Sequence, residues 1–298
     1  MEFERNRCEF MEDFKKKLVD VFKRPVVPGK IDRFGINARD VATGVYPHMG
    51  ALGWLDTSNS WLFNCASALI SPNFILTAAH CSWLSPKKYN LTDPKPQMVR
   101  LGNQNILERN SKDYLDVKIQ EIIVHPAYKP PLKYSDIALM KLVEEVKFHA
   151  HIAPACLTRN PNVDVGDAVD STGWEYKTAA LKGDSSYILN FEISIIDSNV
   201  CDGMFKVVKD KNFKGIRSHQ LCAGKINQGV DIYQEHSARF IQVTDARVCL
   251  FDVPLYTLIG VTAYGLGGAG AGVPSVYTRI SSYVDWIEEN VWKEELNL

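Results

Sequence analysis

Short apolar runs broken by turn residues dominate the chain from Met49 to Leu142, and that rhythm predicts the strands of a closed β-barrel. Trp61–Ile70 and Phe74–Ala79 read as two strands joined by Ser71, Pro72 and Asn73, and Met98–Leu101 and Val117–Val124 as two more. The pattern stops over His149–Val163, which reads as a connection between two halves. A second strand series follows at Ala168–Trp174, Tyr187–Ile196, Phe240–Val243, Thr257–Ala263 and Ser275–Thr278. Helical periodicity belongs to the ends. Phe10, Phe14, Leu18 and Val21 form one stripe within the charge-rich stretch Arg5–Lys23, closed by Pro25, Pro28 and Gly29, and it reads as a solvated leader. From Ser282 onward Tyr283, Trp286, Ile287 and Val291 share one face, predicting an amphipathic helix. Asp197 to Val200 is placed to cap a short helix that carries Cys201. No internal repeat interrupts this order.

Composition narrows the class. The 298 residues are 46% hydrophobic and 23% charged, the values of a soluble globular protein. A formal net charge of -1 offers no electrostatic reason to bind nucleic acid or a membrane surface, and no apolar run is long enough to span a bilayer. Neither kind of partner is expected. The first residues contain no apolar signal region, whereas the cysteines suit an oxidising compartment, so the sequence reads as a mature fragment or an incomplete N-terminus. The seven cysteines, Cys8, Cys65, Cys81, Cys156, Cys201, Cys222 and Cys249, contain no Cys-x-x-Cys spacing. No metal site and no cofactor are expected from them. Asn90-Leu91-Thr92 is a glycosylation sequon in a polar loop, consistent with secretion.

Five stretches carry chemistry when taken in order: Leu76-Thr-Ala-Ala-His80-Cys81, Ser135-Asp136-Ile-Ala-Leu139, Leu221–Gly224, Asp231 to Phe240, and Leu258 to Gly265. They resemble the chymotrypsin- and trypsin-like serine proteases, most closely the arthropod clip-domain proteases of the snake type. The likeness runs from about Phe34 to Trp292. It implies an all-β fold of two packed antiparallel β-barrels with a C-terminal helix. Residues 1–33 would be a leader, and 34–298 the protease domain, with barrel halves at about 46–146 and 160–280. It implies His80 as general base, Asp136 as the carboxylate that orients it, and Ser237 as nucleophile. A serine hydroxyl needs this company, because it is a weak nucleophile until an oriented imidazole accepts its proton. Residues 235 and 237 would supply the backbone N–H groups of the oxyanion hole. Asp231 would form the base of a pocket for Arg or Lys, with Ser275 replacing a glycine of the pocket wall. Two disulfides are implied, Cys65 with Cys81 and Cys201 with Cys222, each worth about 2–4 kcal/mol. Cys8 would pair with Cys156 or Cys249, leaving one thiol over, or would lie on the leader without a partner.

The same stretch departs from the family at the positions that make the hole. Where the family has glycine two residues before the serine, this chain has Glu235, whose side chain restricts the backbone and brings negative charge towards a developing oxyanion. Where the family has the aspartate that pairs with the new N-terminal amine after activation cleavage, it has His236. The matching cleavage motif is also changed, since Arg33 is followed by Phe34-Gly35-Ile36 and not Ile-Val-Gly-Gly. Ala238 and Arg239 replace two glycines, and Arg239 is far larger than that tight turn expects. Tyr233 replaces a pocket cysteine whose partner position falls in Leu266–Gly270, and Ala263 replaces the serine that contacts the triad aspartate. Two functions follow from these residues. One is a catalytically impaired serine protease homologue that acts by binding other proteins in an extracellular proteolytic cascade. The other is an active serine endopeptidase with Arg/Lys preference.

Overall fold

A computed structural model describes residues 39–40, 45–102, 105–106, 114–161, 163–174, 188–206, 210–225, 239–250, 253–265 and 274–293. The expected leader at 1–33 lies outside the described residues.

After the two-residue strand β1 (Arg39–Asp40), six strands build the first barrel: β2 (Met49–Leu55), β3 (Trp61–Ser71), β4 (Phe74–Thr77), β5 (Met98–Leu101), β6 (Leu115–Val124) and β7 (Ala138–Leu142). They close in the order β2-β3-β4-β7-β6-β5, with β5 returning to β2 and every neighbour antiparallel. Closure removes the unpaired edges that an open sheet leaves. From Phe63 onward β3 is buried on both faces, because one lines the barrel and the other is covered. The Ala155 N–H of the crossing segment donates to the carbonyl of Leu69. At Gly50 a Cβ would stand 2.7–2.8 Å from side-chain atoms of Val99, Leu101 and Ser67, so the neighbouring strands leave no room for a side chain there. Strand β4 ends at Thr77 and not at Ala79, because Ala79–Ser82 turn into a 3-10 helix. A short helix, α1 (Pro86–Tyr89), follows on the same connection.

The second barrel contains β9 (Ala168–Trp174), β10 (Ile188–Ile196), β11 (Gln220–Gly224), β12 (Phe240–Leu250), β13 (Val253–Gly265) and β14 (Ser275–Arg279). Its order is β9-β10-β11-β14-β13-β12, with β12 back on β9. β1 extends this sheet beside β10, and β8 (Cys156–Leu157), inside the stretch expected to be a plain connection, runs parallel to β13. The β12–β13 hairpin reaches further than the apolar runs at Phe240–Val243 and Thr257–Ala263, pairing as far as Leu250 with Val253. Backbone N–H and C=O groups pair irrespective of side-chain polarity, so Thr244 and Asp245 do not end the ladder.

Helix α2 (Ser198–Lys206) carries Cys201 and begins at Asp197, whose carboxylate accepts the N–H groups of Asn199 and Val200 at 2.8 and 3.3 Å. Tyr283 closes a 3-10 turn (Ile280–Tyr283) that leads into α3 (Val284–Val291), which buries Val284 and Ile287. Trp54, Leu76 and Met140 of the first barrel share one hydrophobic cluster with Trp174, Phe240 and Ile287. The halves therefore share a core. A polar contact crosses the same boundary, with His48 Nε2 at 2.8 Å from the side-chain oxygen of Gln242 on β12. These are the two six-stranded antiparallel barrels and terminal helix of the chymotrypsin-like fold.

Candidate active site

His80 sits in the 3-10 helix Ala79–Ser82, where the strand that leads in has run out of partners and the chain must turn. The next residue fixes that turn: Cys81 is bonded to Cys65 on β3, with Cα atoms 6.0 Å apart. Asp136 lies just before β7. Its neighbour Ser135 adopts φ 51°, a left-handed conformation uncommon for a residue with a side chain. The Tyr283 hydroxyl donates to Ser135 Oγ at 3.0 Å. The carbonyl of Asp136 accepts the Thr278 hydroxyl from β14 at 3.0 Å, so a second-barrel strand anchors a first-barrel carboxylate.

The two side chains meet. Asp136 Oδ2 lies 2.8 Å from His80 Nδ1, and Oδ1 accepts the backbone N–H of His80, also at 2.8 Å. The carboxylate is 3% exposed and the imidazole 33% exposed. An ionised carboxylate only accepts, so the proton of a neutral His80 resides on Nδ1 and the Nε2 lone pair is left to act as a base. Burial of the carboxylate keeps water from competing for Nδ1. Asp136 also acts outward, because its charge adds to burial in pushing the Tyr128 hydroxyl pKa well above the usual phenol value. Ala263, buried at 6% exposure, offers Asp136 no hydroxyl.

Arg239 and Ser275 are further departures within the described residues, and Arg239 is the larger. Its side chain enters the second barrel, where it is 1% exposed with its guanidinium 5.3 Å from the centre of the Phe191 ring. Thr262 on β13 locks the backbone at this point: its N–H donates to the Arg239 carbonyl at 2.9 Å, and its hydroxyl lies 3.2 Å from the Arg239 N–H. Ser275 is buried on β14, opposite Ala223 and Gly265.

The second disulfide joins Cys201 on α2 to Cys222 on β11, with Cα atoms 6.4 Å apart. Sequence reasoning brought His80 and Asp136 together but missed Thr278, Tyr283 and the left-handed Ser135. No local pattern marks them, since each matters only through a contact far along the chain. Asp231, Tyr233, Glu235, His236, Ser237, Ala238, the segment 266–270 and the cleavage region 33–38 lie outside the described residues. So do Cys8 and the side chain of Cys249. Ligand atoms of Cys65, His80 and Cys81 lie within 4.8 Å of one another, but both sulfurs are joined in a disulfide and neither is the thiolate that binds a metal.

The comparisons with known proteins agree with this geometry. The family model described as Trypsin matches residues 36–287. The serine protease snk of Drosophila melanogaster is 34% identical over 262 residues, covering 84% of this chain and 55% of the relative. Phenoloxidase-activating factor 3 of Holotrichia diomphalia is 28% identical over 270 residues, covering 86% of this chain and 72% of the relative. Among solved structures, that of GrC superposes with a TM-score of 0.64 at 24% identity, over 85% of this chain and 98% of its own. The chain thus spans about half the length of snk.

Proposed function

The chain belongs to the trypsin family of serine proteases, and on that premise we propose that it is a catalytically impaired homologue acting by protein binding in an extracellular proteolytic cascade. The observation that carries the reading is the Glu235-His236 pair where the family has the oxyanion glycine and the activation aspartate, beside a His80–Asp136 pair that is in order. Proton acceptance by His80 is only half of acyl transfer. The tetrahedral intermediate also needs two N–H groups aimed at its oxyanion, and losing one donor costs a hundredfold or more, about 2.7–4 kcal/mol.

Glu235 stands where the backbone should be free to turn and carries charge of the sign that must be stabilised. His236 cannot give a new N-terminal amine the anion that would order the loop, and Phe34 would head that terminus after cleavage at Arg33. A buried ammonium without an anion is costly, so the terminus stays in water and the loop keeps its uncleaved form. Asp231 remains as a relic of a basic-residue pocket, with Ser275 in its wall. Binding of other proteins is supported by a relative named as an activating factor for phenoloxidase, and secretion by the two disulfides.

The intact His80–Asp136 pair favours a second reading, an active endopeptidase with Arg/Lys preference acting through Ser237. Labelling with a fluorophosphonate separates them, because the reagent reports on nucleophile and oxyanion hole together. The impaired reading expects no labelling and no turnover of Arg or Lys esters, before or after cleavage at Arg33. Stoichiometric labelling that Ser237→Ala abolishes would overturn it.

A further inference from the structure

Asn90-Leu91-Thr92 is the sole Asn-x-Ser/Thr sequon in the chain, and it lies on the connection that leads away from His80. Asn90 ends helix α1 with φ 55° and ψ 44°, the left-handed conformation that asparagine tolerates better than most residues. That placement alone would justify an asparagine. The rest of the tripeptide is arranged for more. Leu91 is buried at 6% exposure and bridged to Asp56, so the middle residue is pinned inward while Asn90 and Thr92 on either side are exposed. The Thr92 hydroxyl donates to the Leu55 carbonyl at 2.9 Å, and the Asn90 carbonyl accepts the Thr57 N–H at 2.9 Å, which holds the loop against the β2–β3 turn. The Asn90 amide donates one N–H to Thr57 Oγ1. Its second N–H is the bond a glycan would replace, so modification and the fold do not compete.

We propose that Asn90 carries an N-linked oligosaccharide. The donor is a lipid-linked pyrophosphoryl oligosaccharide met in the secretory pathway. The bond from the first sugar's anomeric carbon to the pyrophosphate oxygen breaks, a bond from that carbon to Asn90 Nδ2 forms, Nδ2 gives up one proton, and the lipid pyrophosphate leaves. No oxidant or reductant is involved. The bulky, hydrated group then projects from the outer rim of the first barrel, ten residues after His80. The inference rests on the extracellular part of the proposed function and is independent of whether Ser237 reacts.

The test is peptide and intact-mass spectrometry of the full chain secreted from cultured eukaryotic cells. The expected result is an Asn90 peptide recovered as a glycopeptide, with aspartate at position 90 after peptide N-glycosidase. Asn90→Gly keeps the left-handed turn without the amide, and Thr92→Val removes the hydroxyl; both should lose the glycan. Thr92→Ser should keep it. A wild-type chain that is secreted with both disulfides formed but yields only unmodified Asn90 overturns the proposal. Failure of the secretory reading would show differently, as a chain retained in the cell or recovered reduced.

Discussion

His48 makes stability depend on pH in a way that can be worked out from its surroundings. The ring is 1% exposed, lies 5.0 Å from the Tyr256 ring centroid and 6.2 Å from that of Tyr46, and meets Gln242 at 2.8 Å. Gln242 in turn donates to Thr172 at 3.3 Å, and Asn190 accepts from Thr172 and donates to Asp170. Desolvation is the dominant influence and lowers the His48 pKa from 6.5 to about 4, against a smaller opposing effect from Gln242. The folded pKa is below the unfolded one, so between those values the unfolded chain binds the extra proton. The stabilisation is therefore complete above the unfolded value and is lost as pH falls from 6.5 towards 4. At about 1.4 kcal/mol per unit the full loss is about 3 kcal/mol, most of it incurred by about pH 4.5.

Denaturant unfolding at about pH 7 and about pH 4.5, followed by tryptophan fluorescence, measures this loss. Trp54 and Trp174 are buried in the shared core and report its opening. Burial also lowers the pKa of His125 and His219, so the quantity to read is the difference between wild type and His48→Gln. The variant should be less stable at neutral pH, yet its loss on acidification should be smaller by about 2–3 kcal/mol. Parallel losses in the two proteins would refute the assignment.

Other outcomes follow from the same structure. Replacing Cys65 and Cys81 together by alanine should cost about 3 kcal/mol for a bridge spanning 16 residues, and circular dichroism melts should show it as a lower Tm. Gly50→Ala should destabilise by about 1–3 kcal/mol, because its Cβ would meet Val99, Leu101 and Ser67 inside contact distance; an unchanged denaturation midpoint would show that the strands part freely. Glu235→Gly with His236→Asp, Arg239→Gly and an Ile-Val-Gly-Gly start after Arg33 should raise amidase activity on an Arg substrate once the chain is cleaved. Equal activity in cleaved wild type would refute the impaired reading.

The sequence by itself determined the elements whose signal is local. Apolar runs between turn residues marked most strands of both barrels, though not β2, β7 or β11, and Asp197 announced α2 by offering an acceptor to its free N–H groups. The motifs around His80 and Asp136 put those residues in one site through their resemblance to the protease family, and the structure brings the side chains together at the ends of β4 and β7. Sequence could not show what depends on a distant partner. The reach of the β12–β13 hairpin is decided by backbone pairing, which leaves no trace in side-chain polarity. The left-handed Ser135 is bonded through its hydroxyl to Tyr283, 148 residues on, and the Asp136 carbonyl to Thr278, 142 residues on. Arg239 is the clearest case. Sequence showed only that it is larger than the two-glycine turn of the family expects, and packing placed its side chain in the second barrel beside Phe191, with Thr262 bonded to its backbone.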